Sequence, residues 1–256
     1  MTFKSTGIAF ILSLCIICLL SVLAGISMLW ILAIAFVFSL VLAYGSATIQ
    51  SGFYIKAYCN SDTNEKLIAL TFDDGPHPEF TSKILAVLKQ HQAKATFFVI
   101  GKHIHQNESI IKQIDSEGHT IGNHTFSHSF FIDFESTKGF KKELNDTADL
   151  VKSITGKQMK LFRPPYGVTT PNLAKASRAL NYDVIGWNIR SMDTTGDNKE
   201  VILNRVKQQL KPGAIVLFHD TSEKTVEVLE QTLLFAKQNG FKIVSLQSLL
   251  NINSYH

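Results

Sequence analysis

Charge is missing where the chain begins. No Asp, Glu, Lys or Arg occurs between Lys4 and Lys56, while the remainder carries the charge of an ordinary soluble domain. Basic residues are nowhere clustered: the formal net charge is +4, no run of five or more Lys or Arg exists, and no stripe interleaves Arg with aromatics. This argues against nucleic acid as a partner. Cysteine is scarce. Of the three, Cys15 and Cys18 lie in the uncharged segment and Cys59 stands alone just after it, so there is no disulfide framework and no reading of redox compartment. Internal repeats, low-complexity tracts and long linkers are absent too.

What fills the uncharged stretch is hydrocarbon: Gly7 to Tyr44 is almost unbroken Ile, Leu, Val, Ala, Phe and Met. As one helix it would be about 57 Å long, against a bilayer core of about 30 Å. Two short spans fit better, near residues 7–23 and 28–46, turning around Ala24-Gly25-Ile26-Ser27. The rival is a cleaved signal peptide, whose apolar core runs only ~7–15 residues behind a stronger positive flank than the single Lys4. A hairpin returns the chain to the side where it started, and its uncharged loop leaves the positive-inside rule little to count.

From Lys66 onward, short β-branched or aromatic runs alternate with amphipathic segments. The expected strands are Leu67–Phe72, Ala95–Ile100, His119–His124, Lys160–Arg163, Asp183–Asn188, Ala214–His219 and Phe241–Val244. Helical faces lie between them, such as Phe80, Ile84, Leu85 and Leu88, and later Val226, Leu229 and Leu233. Seven strand–helix alternations predict a parallel α/β sheet, open or closed. The polar residues capable of chemistry sit at strand ends: Asp73 and Asp74, His124, Arg163 and His219. In parallel α/β barrels those ends converge on one face, where active sites form.

Four segments carry the chemistry. Thr71-Phe72-Asp73-Asp74-Gly75-Pro76 puts two carboxylates before a sharp turn, which is also plain turn chemistry. His124 and His128 have the spacing that places two imidazoles on one side of a helical turn. With a carboxylate from another strand end, two His leave open positions for water and substrate, as at a catalytic metal; zinc is the default, and iron, cobalt or nickel suit the same ligands. Phe162-Arg163-Pro164-Pro165-Tyr166-Gly167 follows an Arg with a rigid turn able to aim backbone amides at an oxyanion. Leu217-Phe218-His219-Asp220 ends an apolar strand in a histidine that alone fits a hydrogen-bonded core residue better than a functional one. His77, His91, His103, His105 and His119 have no partner at ligand spacing.

TFDDGP at 71–76, HTFSH at 124–128, RPPYG at 163–167 and LFH at 217–219, in that order, resemble the polysaccharide deacetylases of the chitooligosaccharide-deacetylase homology domain, carbohydrate esterase family four, over roughly residues 66–250. The resemblance implies a distorted (β/α) barrel of about seven parallel strands, here preceded by a transmembrane helical hairpin. It implies Asp73 as general base, Asp74, His124 and His128 as ligands of one divalent metal, and His219 as general acid. Arg163 would tether the base, the Tyr166 amide would help stabilise the oxyanion, and Leu217 would line the acetyl pocket, with Trp187 and Pro165 beside it. The segment from Trp187 to Asp193 resembles the motif whose Asp orients the catalytic His, although Thr194 follows where the family commonly has Trp.

The expected activity is therefore metal-dependent removal of N-acetyl groups from amino sugars of a peptidoglycan-like or chitin-like glycan, with O-acetyl esterase activity as the alternative. The expected organisation is a membrane anchor over 1–48, a connector over 49–65 and a catalytic domain over 66–256, the last on the extracytoplasmic side where polymeric glycans are. Oligomeric state is left open. Two readings from other classes compete. Gly122-Asn123-His124 resembles the Asn-His element of metallophosphoesterases, but no Asp-x-His or Gly-Asp-x-x-Asp partner accompanies it. A glycan-binding or assembly protein on the same fold would not need every catalytic position filled, as they are here.

Overall fold

In a computed structural model of the chain, structure is described for residues 2–25, 27 and 29–256. Two apolar helices open it, α1 (Phe3–Ala24) and α2 (Leu29–Ala47), with Phe10 stacked on Phe38 at 4.0 Å between ring centroids. At 22 and 19 residues each is about 30 Å long, one bilayer core. Gly25 ends α1 with φ 64, the left-handed cap that glycine favours. Ile26, in the expected turn, lies outside the described residues.

The domain that follows alternates strand and helix: β1 (Leu67–Asp73), α3 (Phe80–Gln90), β2 (Ala95–Val99), α4 (Gly101–Ile104), α5 (Glu108–Ser116), β3 (Thr120–Asn123), α6 (Thr137–Thr155), β4 (Leu161–Phe162), α7 (Pro171–Ala179), β5 (Asp183–Val184), β6 (Ile189–Arg190), α8 (Lys199–Gln209), β7 (Ala214–His219), α9 (Glu223–Gln238), β8 (Lys242–Ile243) and α10 (Leu246–Leu250). The strands form one parallel sheet in the order β5-β4-β3-β2-β1-β7-β6, with β8 added at the start of β1. This is the curled sheet of the expected distorted barrel.

Of one expected strand, Asp183–Asn188, only β5 (Asp183–Val184) forms, beside β4; β6 begins just past its expected end and lies on the opposite edge, beside β7. The carbonyls of Ile185 and Gly186 between them are taken by the Arg163 guanidinium. A ladder therefore cannot run through, and the chain bends across the gap. Residues 49–65 help to fill it: Tyr58 donates to the Val184 carbonyl and accepts from the Gly186 N–H, and Ile49 and Ile55 are buried among Ile185, Trp187 and Ile215.

Strand alternation sorts the interior. Ile68, Leu70 and Phe72 of β1, with Val216 and Phe218 of β7, face the helices, together with Leu85, Leu88, Leu229 and Leu233. Ala69, Ile215 and Leu217 face the inside of the curl with Phe98. The same period sends Thr71, Asp73 and His219 inward. Gly122 of β3 faces Phe98, and a Cβ there would lie 2.5 Å from its ring, so only glycine lets the ring fill the curl.

Candidate active site

β1 and β7 are paired so that Asp73 is level with His219. Period two would turn Asp74 to the opposite side. It does not go there, because Asp74 takes φ 77 and its carbonyl accepts from His103 Nδ1 at 3.0 Å. Both carboxylates consequently enter one cavity of ≈ 200 Å³, with His124, His128, Tyr166, Trp187, Leu217 and His219.

The two histidines arrive by a route their spacing did not predict. Residues 124–128 are not helical: Thr125 has φ 66 and His128 φ 46. The loop is held by Glu143 of α6, whose Oε2 accepts from the Phe126 and Ser127 N–H groups at 2.9 and 2.7 Å. His124 Nδ1 donates to the Arg163 carbonyl at 2.7 Å, which leaves the Nε2 lone pair facing the cavity. Nε2 of His124 and of His128 stand 3.5 and 3.4 Å from Asp74 Oδ1. Two donors bound at about 2.0–2.1 Å to one ion are about 3.0–3.4 Å apart, so the triplet fits a divalent metal. The outward hydrogen bond of His124 is the kind that orients a metal-ligating imidazole. Burial pushes the Asp74 carboxyl up, but its hydrogen bond and charge pairing with His124, and the charges of His219 and His128, hold it well below the carboxylate range. Burial and neighbouring His124 push His128 down to about 4, so its imidazole is neutral at neutral pH with a lone pair to give.

Arg163 is wholly buried, and four of its five N–H groups are spoken for. Its Nη1 donates to Asp73 Oδ1 at 2.7 Å and Thr71 Oγ1 at 2.8 Å, Nη2 to the Gly186 carbonyl at 2.9 Å and Nε to the Ile185 carbonyl at 3.3 Å. The guanidinium stands over the Phe98 ring, with Cζ 4.3 Å from the ring centroid. Burial alone would lower the Arg163 pKa, and the Asp73 charge opposes it. With Oδ1 of Asp73 occupied, Oδ2 is left toward the cavity, 3.8 Å from His124 Nε2.

Across the cavity, Asp193 does the corresponding work for His219. Its Oδ1 accepts from His219 Nδ1 at 2.8 Å, and its Oδ2 from the His219 N–H and Thr225 Oγ1, each at 2.8 Å. Burial would lower the His219 pKa, but the hydrogen bond and charge of Asp193, with Asp73 and Asp74 behind it, raise it to about 9. Burial likewise opposes Asp193, and His219 holds its carboxyl below the ordinary range. The Nε2–H of a cationic imidazole is thereby left for the cavity.

Tyr166 sits at φ 57 in the Pro-Pro turn, half-exposed, with its ring edge-on to His128 at 4.7 Å. Trp187 and Leu217 line the cavity as expected positions for substrate contact. Pro165 does not. It is buried within the turn, and the wall there is Tyr166 and Gly167. Arg190 and Thr194 also line the cavity; the first lies within the Trp187–Asp193 segment and the second is its departure from the family pattern, but neither was read as a site residue. Asp220, next to His219, is a further buried acid: Thr81 Oγ1 donates to it at 2.5 Å, burial raises it to about 7, and a Cβ on Gly75 would lie 2.0 Å from its Oδ2. That contact accounts for the glycine after the paired aspartates. His119 accepts from the Ala95 N–H and is a packing residue.

The polysaccharide deacetylase family model matches residues 60–185. A Bacillus cereus protein named peptidoglycan-N-acetylglucosamine deacetylase is 37% identical over 194 residues, spanning 73% of this chain and 89% of the relative. The Bacillus subtilis peptidoglycan-N-acetylmuramic acid deacetylase PdaA is 34% identical over 198 residues, 76% of this chain and 75% of the relative. The solved Bc1960 peptidoglycan N-acetylglucosamine deacetylase superposes with a TM-score of 0.73 at 33% identity, covering 77% of this chain and 94% of that one. Shared sequence over most of a relative's length, the same curled sheet and four motifs meeting in one cavity place the chain in the polysaccharide deacetylase family, as a hydrolase that deacetylates a glycan.

Proposed function

We propose that the enzyme removes N-acetyl groups from amino sugars of a peptidoglycan-like or chitin-like glycan, with one divalent metal, zinc by default, held by Asp74, His124 and His128. The observation that carries this reading is the division of labour within one cavity: two histidines converging on a carboxylate, an aspartate anchored by a buried Arg, and a histidine kept cationic by another aspartate. An amide is a poor electrophile with a poor leaving group. When bound, the ion supplies Lewis acidity, polarising the acetyl carbonyl and lowering the pKa of a water beside it.

The rest falls to the chain. Arg163 fixes Asp73 by its Oδ1, so Oδ2 is the oxygen that takes the attacking water's proton. The Tyr166 amide, aimed by the positive-φ turn, donates to the developing oxyanion. Asp193 holds His219 by Nδ1, so Nε2 delivers its proton to the departing sugar amine. Leu217 receives the acetyl methyl and Trp187 walls the sugar. Base and acid each sit in an ion pair of their own, Asp73 with Arg163 and His219 with Asp193, and the second pair holds the acid in its cationic form.

Residues 1–48 would anchor this domain to a membrane with the cavity on the extracytoplasmic side. Protease protection in intact and lysed cells tests that placement: digestion of the domain only after lysis of the inner membrane would overturn it and leave the chemistry untouched. Mass spectrometry of acetate released from N-acetylglucosamine oligomers, peptidoglycan fragments and acetylated xylan tests the activity. Release from xylan alone would replace the amide reading with an ester one.

A further inference from the structure

The apolar helices do not hang from a free tether. In the last turn of α2, Ser46 Oγ donates to the Thr169 carbonyl at 2.7 Å, and the Ser46 carbonyl accepts from the Thr169 N–H at 2.9 Å. Phe3, the first residue of α1, donates from its N–H to the Phe53 carbonyl at 3.0 Å. Both ends of the helix pair thus meet the domain near the start of α7, and Thr169 closely follows Tyr166 and Gly167 of the cavity wall. The same turn of α7 is tied to a second loop: Asn172 Nδ2 donates to the Glu135 carbonyl at 3.0 Å, and Thr137 Oγ1 donates to Asn172 Oδ1 at 3.2 Å.

That second loop carries Phe130, Phe131 and Phe134, exposed by 77, 68 and 85%. Phe130 lies edge-on to Phe131 at 5.3 Å and to Tyr166 at 6.4 Å, so this aromatic rim is continuous with the cavity mouth. Grouped bare phenyl rings on a surface mark an interaction site. None of the three lines the cavity, and none has the polar tip that lets Tyr or Trp hydrogen-bond at one end while packing at the other. The turn of α7 that holds this loop through Asn172 also lines, with Pro171, a hollow at the base of the helix pair, whose charged lining among the described residues is Lys4, Lys56, Lys175 and Arg178. Cations and exposed apolar rings joined to one helix end fit a surface that meets anionic headgroups above an acyl layer.

We propose that the Phe130–Phe134 loop enters the bilayer interface and holds the cavity mouth at the membrane surface, so that the N-acetylated sugars this enzyme takes belong to a saccharide carried on a lipid. The inference rests on the deacetylase and anchor readings above, and its tests separate from theirs. The full chain is reconstituted in phosphatidylcholine–phosphatidylglycerol liposomes, with and without brominated acyl chains. Phe134→Trp adds one indole to Trp30 and Trp187, and its emission is read as the difference from the parent. Quenching by bromine is the expected result; an indole quenched by aqueous iodide and untouched by bromine overturns the contact. Phe131→Asp with Phe134→Asp is then assayed on a lipid-linked N-acetylglucosamine saccharide in those liposomes and on a soluble N-acetylglucosamine oligomer. A loss of about tenfold or more on the first, with the second held within about twofold, is expected from a weakened interfacial contact. Equal loss on both makes the rim a sugar platform, and loss on neither removes its role; either result overturns the proposal. If the parent deacetylates neither substrate, the deacetylase reading fails while the quenching result still decides the membrane contact.

Discussion

Replacing Asp193 by Asn tests the general acid without touching a metal ligand. In the folded protein His219 is raised from 6.5 to about 9, against a burial effect that would lower it. With the carboxylate gone, burial remains and its main opponent is lost, so the imidazole should titrate below 6.5. The difference exceeds two pKa units, or about 3 kcal/mol of preference for the cation. Its sign fixes the stability profile. Because the folded pKa is raised, the pair's contribution is fully present below about 6.5 and is lost as pH rises through about 9, so the parent's stability advantage over Asp193→Asn should shrink across that window. Catalysis should fall as well. The Asn amide can donate to Nδ1 and keep a proton on Nε2, but a neutral imidazole is a far weaker acid than the cation. A general acid contributes about 10²–10⁴-fold, so kcat/KM should fall within that range and the alkaline limb near 9 should disappear. Two-dimensional NMR of the imidazole nitrogens in the metal-free protein reads the titration directly. A His219 midpoint that moved by less than about one unit would refute the ion-pair account.

The two adjacent aspartates should separate by metal titration. Asp74→Asn should lose metal affinity and recover part of its activity with added metal, whereas Asp73→Asn should bind metal nearly as well as the parent and lose about 10²–10⁴-fold in turnover at every metal concentration; rescue of the second and not the first would reverse the roles. Arg163→Met leaves Asp73 buried without its cation and should cost about 3–5 kcal/mol by urea unfolding. Asp73→Asn in the same background should restore part of that loss, and strict additivity would show that the pair is not coupled. Glu143→Ala removes the acceptor of two loop N–H groups beneath the histidines and should weaken metal binding by about 10–100-fold by calorimetry with the fold retained. An unchanged affinity would mean that the loop holds its own shape.

The strand ends were legible because period and composition agree in them: β1 and β7 are long apolar runs stopped by Asp and His, and the expected and observed limits differ by a residue at most. The two-histidine spacing led to the right neighbours by the wrong geometry. A helical turn would bring such residues together through local hydrogen bonding, but here left-handed backbone at Thr125 and His128 does it, stabilised by Glu143 from a helix that begins after the loop. Nothing within residues 124–128 announces that partner. That the expected strand at 183–188 stops at Val184 was illegible for a related reason. Its residues read as one β run, and they would be one if the Ile185 and Gly186 carbonyls were free to enter a ladder. Arg163 claims both, and the same guanidinium fixes the proposed base. One buried side chain therefore bends the sheet and orients the carboxylate. A motif that looks catalytic in the sequence carries part of the architecture, and an Arg163 variant should accordingly lose stability and turnover together rather than turnover alone.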